Sequence, residues 1–132
     1  MQTFLPYPDF HASARVLDNR RLGSQRVEAY QILRVLAGLT RGWVNHPAVR
    51  MWRSFDIALC AYIKAMIREW EARGYRNNML HIALPTEYDL PPWMGDPDFH
   101  ASHRSNLLRK NPGHYCRYWR EEPDHQPYVW PV

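Results

Sequence analysis

Glu28 sits among arginines. Residues 15–34 read RVLDNRRLGSQRVEAYQILR, with Arg15, Arg20, Arg21, Arg26 and Arg34 interrupted only by the carboxylates Asp18 and Glu28. Guanidiniums grip phosphates in a planar, bidentate fashion, and a carboxylate ringed by positive charge is held in its ionised form. Together these groups suit an enzyme that holds a nucleic acid and sets one carboxylate beside a developing cation. The same residues would also serve as a solvated basic helix with Glu28 in a surface ion pair, so the segment alone leaves both readings open.

Amine chemistry is restricted by composition. Of the seventeen basic residues only Lys64 and Lys110 are lysines, and net charge is +4. Imine formation therefore has three amines to draw on: Lys64, Lys110 and the α-amine of Met1. An α-amine titrates near about 8 and a lysine near about 10.4, so the former is the better nucleophile at neutral pH. The positive balance favours an anionic partner. The bias toward arginine fits phosphate recognition, and biased genomic composition would produce it too.

Other chemistries find little support. Seven histidines are present, with His100 and His103 three apart and His46, His81 and His114 scattered. There is no HxxxH or HExxH spacing and no cysteine pair, so no metal is expected. A nucleophile elbow and a glycine-rich phosphate loop are both missing. Cys60 and Cys116 are too few for a disulfide framework, and reduced thiols in the cytoplasm are expected. The first residues, MQTFLPYPDF, lack the pattern of a signal peptide, and no apolar run approaches a membrane span.

The elements that must position these groups are helical. Residues 1–8 are extended through Pro6 and Pro8, and Asp9 caps a helix through Phe10, Ala14, Val16 and Leu17. Gly23-Ser24 is expected to kink or restart it, with Ser24 as a second cap. Leu22, Ala29, Leu33 and Leu36 then keep helical period, and Gly38 terminates. Pro47 opens the next helix, whose stripe runs through Val49, Trp52, Leu59, Ile63, Met66 and Trp70 to Gly74, with Asp56 semi-buried on it. Asn77-Asn78 is expected to cap a short helix through Leu84. Residues 85–97 form an irregular loop anchored by Trp93. A last helix runs from Asp98 to about Lys110, before Pro112, and the proline-punctuated tail packs as an extended strap. The reading is all-α: one compact domain over residues 1–132, with three main helices, long irregular loops and an extended C-terminal tail. A monomer is the default for it.

One internal echo stands out. PDFHASAR at 8–15 returns as PDFHASHR at 97–104. Each copy sets His and Arg in the first turns of a helix, and the two helix starts could face one phosphate-binding site. Nothing else repeats, so the echo is not a domain duplication.

The run LDNRRLGSQRVEAYQIL, then GWVNHPAV, EWEARGYRNN and SHRSNLLRKNPGHYCRYW, in that order across residues 10–120, resembles the pyrimidine dimer DNA glycosylase family. The resemblance implies a compact three-helix protein working on double-stranded DNA with damaged or modified bases, without a metal or organic cofactor. It implies cleavage of the glycosidic bond of a damaged pyrimidine, followed by strand breakage through β-elimination. In the family an N-terminal α-amine attacks the sugar C1′ and a helix Glu assists, which maps the carboxylate onto Glu28. Family members commonly carry Arg directly before that Glu; here Val27 intervenes and Arg26 stands next to it. The family exposes a small residue after its initiator Met is removed, but the bulk of Gln2 disfavours removal, which assigns the amine to Met1. Arg20, Arg21, Arg26, His46, Arg104, Arg109 and Lys110 are the candidate DNA contacts. Two alternatives stay open: a glycosylase for modified bases that activates water at Glu28, and a non-catalytic nucleic-acid-binding module on the same basic face.

Overall fold

The computed structural model describes residues 1–79 and 81–132. Among the described residues there are six helices and no strand: α1 (Phe10–Val16), α2 (Asn19–Leu36), α3 (Pro47–Arg50), α4 (Asp56–Ala72), α5 (Pro97–Lys110) and α6 (Pro112–Tyr115). Three of them, α2, α4 and α5, carry the architecture, as the hydrophobic periodicity predicts. Leu22, Ala29 and Ile32 of α2 meet Leu59, Ile63 and Met66 of α4, with Phe99 and Leu107 of α5 in the same core. Each buried Leu, Ile, Met or Phe among these contributes roughly 1.5–3 kcal/mol relative to an exposed side chain. Among the described residues no helix is long and apolar enough to cross a membrane.

The helix starts follow capping chemistry, with three departures from expectation. Asp9 caps α1 by accepting from the Ala12 amide at 2.7 Å. The second cap is Asp18 rather than Ser24, and α2 runs unbroken through Gly23. The glycine is there for packing: a Cβ at Gly23 would come within 3.0 Å of the Trp70 ring, so the residue lets α4 lie close. The last helix, α5, starts at Pro97 instead of Asp98 and is capped by Asp96. Gly38 does end α2, in the left-handed region at φ 77.

The long helix expected from Pro47 to Gly74 is interrupted. Pro47 opens only the single turn of α3, and the chain reverses through Ser54 (φ 70) before α4 begins at Asp56. Asp56 is therefore an exposed first-turn residue complementing the helix dipole, not a semi-buried carboxylate. The helix expected over residues 77–84 includes Leu80, which lies outside the described residues; the flanking residues are not helical. Asn77 instead caps a tight turn, its Oδ1 accepting from the Met79 amide at 3.1 Å. Trp93 anchors its loop as expected, donating to the Met51 carbonyl at 3.0 Å.

The N-terminal segment is extended, belongs to no sheet and runs through the core. Gln2, Thr3, Phe4, Leu5 and Pro6 are buried, so their backbone groups need partners. Side chains supply them. The Leu5 amide donates to His103 Nδ1 at 2.9 Å, and the Leu5 carbonyl accepts from His100 Nδ1 at 2.7 Å. The Pro6 carbonyl accepts from Arg104 at 2.8 Å, and the Phe4 carbonyl from the Tyr62 hydroxyl at 2.9 Å. Thr3 accepts from the Trp52 indole at 3.0 Å. The two copies of the sequence echo thus diverge: His11 and Arg15 are exposed, while His100 and Arg104 hold the N-terminal segment.

Candidate active site

Glu28 projects from the middle of α2. Residues 21, 25 and 28 share one face of the helix, and Arg20 and Ser24 flank it. That face, the N-terminal segment, the end of α5 and the C-terminal tail enclose a cavity of about 380 Å³. Met1 and Glu28 both line it, together with Arg20, Arg21 and Lys110. Its volume falls within the ~300–1,000 Å³ typical of small-ligand sites.

A buried glutamine joins the two ends of this arrangement. Gln25 is 1 % exposed. Its Oε1 accepts from the Phe4 amide at 2.9 Å and from the Tyr62 hydroxyl at 2.5 Å. Its Nε2 donates to the Gln2 carbonyl at 2.9 Å and to Glu28 Oε2 at 3.1 Å. One side chain therefore fixes the segment that carries Met1 and orients the carboxylate facing the same cavity. Sequence reasoning passed over Gln25, although a glutamine on the apolar face of Leu22, Ala29 and Ile32 is the kind of residue that needs a buried partner.

The amino terminus lies beside His46. The imidazole's pKa is lowered, first by burial and then by the positive charge of the Met1 amine. Its Nδ1 caps α3 by accepting from the Ala48 amide at 3.0 Å, so the ring proton sits on Nε2. The ring stands edge-on to Trp43 and Trp130, with centroids at 5.6 and 5.8 Å. Trp130 and Tyr128 wall the cavity from the tail. Burial raises the Tyr128 hydroxyl's pKa, partly offset by Arg109 and Arg21. The tail is held to one side of α5: the Gln126 and Val129 amides donate to Ser105 and Ser102 at 2.9 and 3.1 Å. No sequence signal placed Tyr128 and Trp130 here, because an extended strap has no periodicity to read.

The remaining basic candidates are distributed unequally. Arg21 faces the cavity while pairing with Asp18 at 3.2 Å. Burial raises the Asp18 pKa, but the Tyr115 hydroxyl at 2.5 Å and the Arg21 charge outweigh it and hold the carboxyl below its usual value. Arg26 is two residues from Glu28 and so points to the other side of α2. Its guanidinium lies 4.3 Å from the Trp70 ring centroid and donates to Asn77 at 3.1 Å. Arg104 is bound to Glu122 at 2.7 Å and to the Pro6 carbonyl. Arg109 donates to Asn106 and to the Asp124 carbonyl. Of the amines, Met1 and Lys110 border the Glu28 cavity, whereas Lys64 borders a separate one with His11 and Arg68. Thr3 is fully buried under Trp52 and serves the fold.

Among the described residues no three His, Cys, Asp or Glu side chains gather as a metal site. The cavity thus gathers the cationic residues Arg20, Arg21 and Lys110, the carboxylate residue Glu28 and Met1. No curated protein and no solved structure gives a significant match to the chain. A family model described as pyrimidine dimer DNA glycosylase matches residues 1–83, which include α1 to α4, Met1 and Glu28. With well over half of its 132 residues matched, the chain belongs to the pyrimidine dimer DNA glycosylase family.

Proposed function

We propose that the chain cleaves the glycosidic bond of a damaged pyrimidine in duplex DNA and then breaks the strand, with the Met1 α-amine as nucleophile and Glu28 as the assisting carboxylate. The observation that carries this reading is the shared cavity: Met1 and Glu28 line it with Arg20, Arg21 and Lys110, and Gln25 binds both the N-terminal segment and Glu28.

The chemistry follows from those groups. The amine lone pair forms a bond to C1′ as the C1′–base bond breaks, and the departing base takes up a proton. Loss of the amine proton and opening of the C1′–O4′ bond, with O4′ protonated, give an iminium ion. Glu28 stabilises the positive charge that develops at C1′ and nitrogen and relays these protons. Removal of a C2′ proton then expels the 3′-phosphate, and water hydrolyses the remaining imine. Arg20, Arg21 and Lys110 hold the flanking phosphates. Arg26, Arg104 and Arg109, each bound within the protein, hold the scaffold around them. His46, neutral and carrying its proton on Nε2, borders the amine.

The test is borohydride reduction during incubation with dimer-containing and abasic duplexes, with the adduct located by mass. A covalent adduct at Met1 is the expected result. Glycosidic cleavage without an adduct would replace the amine with water activated at Glu28, and salt-sensitive binding with neither would reduce the chain to a binding module.

A further inference from the structure

The short helix α6 grips the junction of α1 and α2 at two points. The Val16 carbonyl accepts from His114 Nε2 at 2.8 Å. Tyr115 is fully buried, and its hydroxyl accepts from the Asp18 amide at 3.1 Å while donating to Asp18 Oδ1 at 2.5 Å. One side chain therefore fixes both the backbone and the carboxylate of Asp18. A buried tyrosine hydroxyl needs a partner, but any nearby carbonyl would serve that need.

Helix capping does not account for Asp18 either. Asp9 caps α1 at 2.7 Å, whereas Asp18 accepts from the Arg21 amide at a long 3.4 Å. Its two oxygens take Nη1 of the Arg21 guanidinium at 3.2 and 3.3 Å instead. Among the described residues no protein group accepts from Nε or Nη2 of Arg21, and the side chain lines the Glu28 cavity. Asp18 thus ties down one corner of the guanidinium and leaves its other nitrogens free to donate. Arg20 lines the same cavity without such a tether. A guanidinium already held in place loses less side-chain freedom when it meets a phosphate.

We propose that Tyr115 is a positioning residue for DNA binding: by fixing Asp18, it holds the Arg21 guanidinium at the Glu28 cavity with its free donors open to a backbone phosphate. This rests on the reading of that cavity given above. It gives α6, which lies beyond residues 1–83, a part in binding without any contact of its own with DNA.

Tyr115→Phe tests it, because the variant keeps the ring and its stack on Trp119 at 5.2 Å and removes only the hydroxyl. With Arg21→Ala and the double variant it forms a cycle, read by anisotropy titration on dimer-containing and undamaged duplex. Arg21→Ala should lower the slope of log affinity against log salt by about one. Its loss of affinity should then be roughly three- to fourfold greater at about 50 mM salt than at about 200 mM. Tyr115→Phe should show a loss of the same kind, no larger, and should add nothing in the Arg21→Ala background. Losses that multiply in the double variant, or an unchanged affinity and slope in Tyr115→Phe, would overturn the proposal. A second measurement needs no variant to fold: nitrogen relaxation of the wild-type arginine side chains should find Arg21 ordered and Arg20 mobile. Equal mobility of the two would also overturn it. If the wild-type protein cleaves neither dimer-containing nor abasic duplex, the glycosylase reading fails by itself, and the binding cycle still decides the role of Tyr115.

Discussion

Replacing Gln25 with methionine keeps the volume and helix propensity of the side chain and removes every hydrogen bond it makes. The Phe4 amide and the Gln2 carbonyl lose their partner inside the protein, where Phe4 and Gln2 are 7 % exposed each. The Tyr62 hydroxyl keeps the Phe4 carbonyl at 2.9 Å, so its loss is partial. An orphaned buried polar group costs about 1–3 kcal/mol, and two of them total roughly 2–6 kcal/mol, a large share of the ~5–15 kcal/mol that holds a domain together. With a urea dependence of about 1–3 kcal/mol per molar, the unfolding midpoint should fall by about a molar or more. Gln25→Glu retains an acceptor for the Phe4 amide and Tyr62 but sets a second carboxylate against Glu28. It should preserve more stability than Gln25→Met while losing adduct formation at Met1. Urea titration of both variants, paired with borohydride trapping, separates the two roles. A Gln25→Met protein within about 0.5 kcal/mol of wild type, a change no larger than that of an ordinary surface substitution, would refute the idea that this side chain anchors the N-terminal segment.

Glu28→Gln should abolish glycosidic cleavage while leaving duplex affinity within about threefold, because one neutralised carboxylate leaves the phosphate contacts in place; undiminished cleavage would remove Glu28 from the mechanism. Alanine at Arg20 or Lys110 should weaken binding uniformly across sequences and reduce the slope of log affinity against log salt by about one each, as measured by anisotropy titration. Arg26→Ala should behave differently, costing about 0.5–1 kcal/mol in unfolding through its lost contact with Trp70 and leaving that salt slope unchanged. The His103 imidazole, buried and next to His100, is held down to about 3 from 6.5. Below pH 6.5 the unfolded chain takes up a proton that the native ring refuses, so stability should fall as pH drops from 6.5 toward 3, by up to about 1.4 kcal/mol per pH unit. His103→Asn should flatten this acid limb in urea titrations at successive pH values; an unchanged slope would show that the ring does not stay neutral.

The local rules that act within a few residues were readable along the chain. Asp9 as a cap, Gly38 as a stop, Pro47 as a helix start and the periodic stripes of α2 and α4 each depend on neighbours within one or two turns. The resemblance carried by residues 17–33 and 42–49 identified the family and singled out Glu28. Misreadings arose where a distant group decided the outcome. Gly23 looked like a helix break because the Trp70 ring that requires it lies 47 positions away. The stripe through Val49 and Trp52 continued on paper into α4, since a reversal at Ser54 leaves apolar spacing intact.

What the sequence determined by itself was the set of helices and the chemical inventory: two carboxylates among arginines, and very few amines. Tertiary structure alone decided which of those groups meet. Helix periodicity turned Arg26 away from Glu28, but only packing could commit it to Trp70 and Asn77, and commit Arg104 to Glu122. Burial of Gln2 to Pro6 demanded hydrogen-bond partners from three separate helices, and satisfying that demand brought Gln25, Glu28 and Met1 to one cavity. Partners of this kind are chosen by the cost of leaving a polar group unpaired away from water, a cost that exists only once the chain has closed around it.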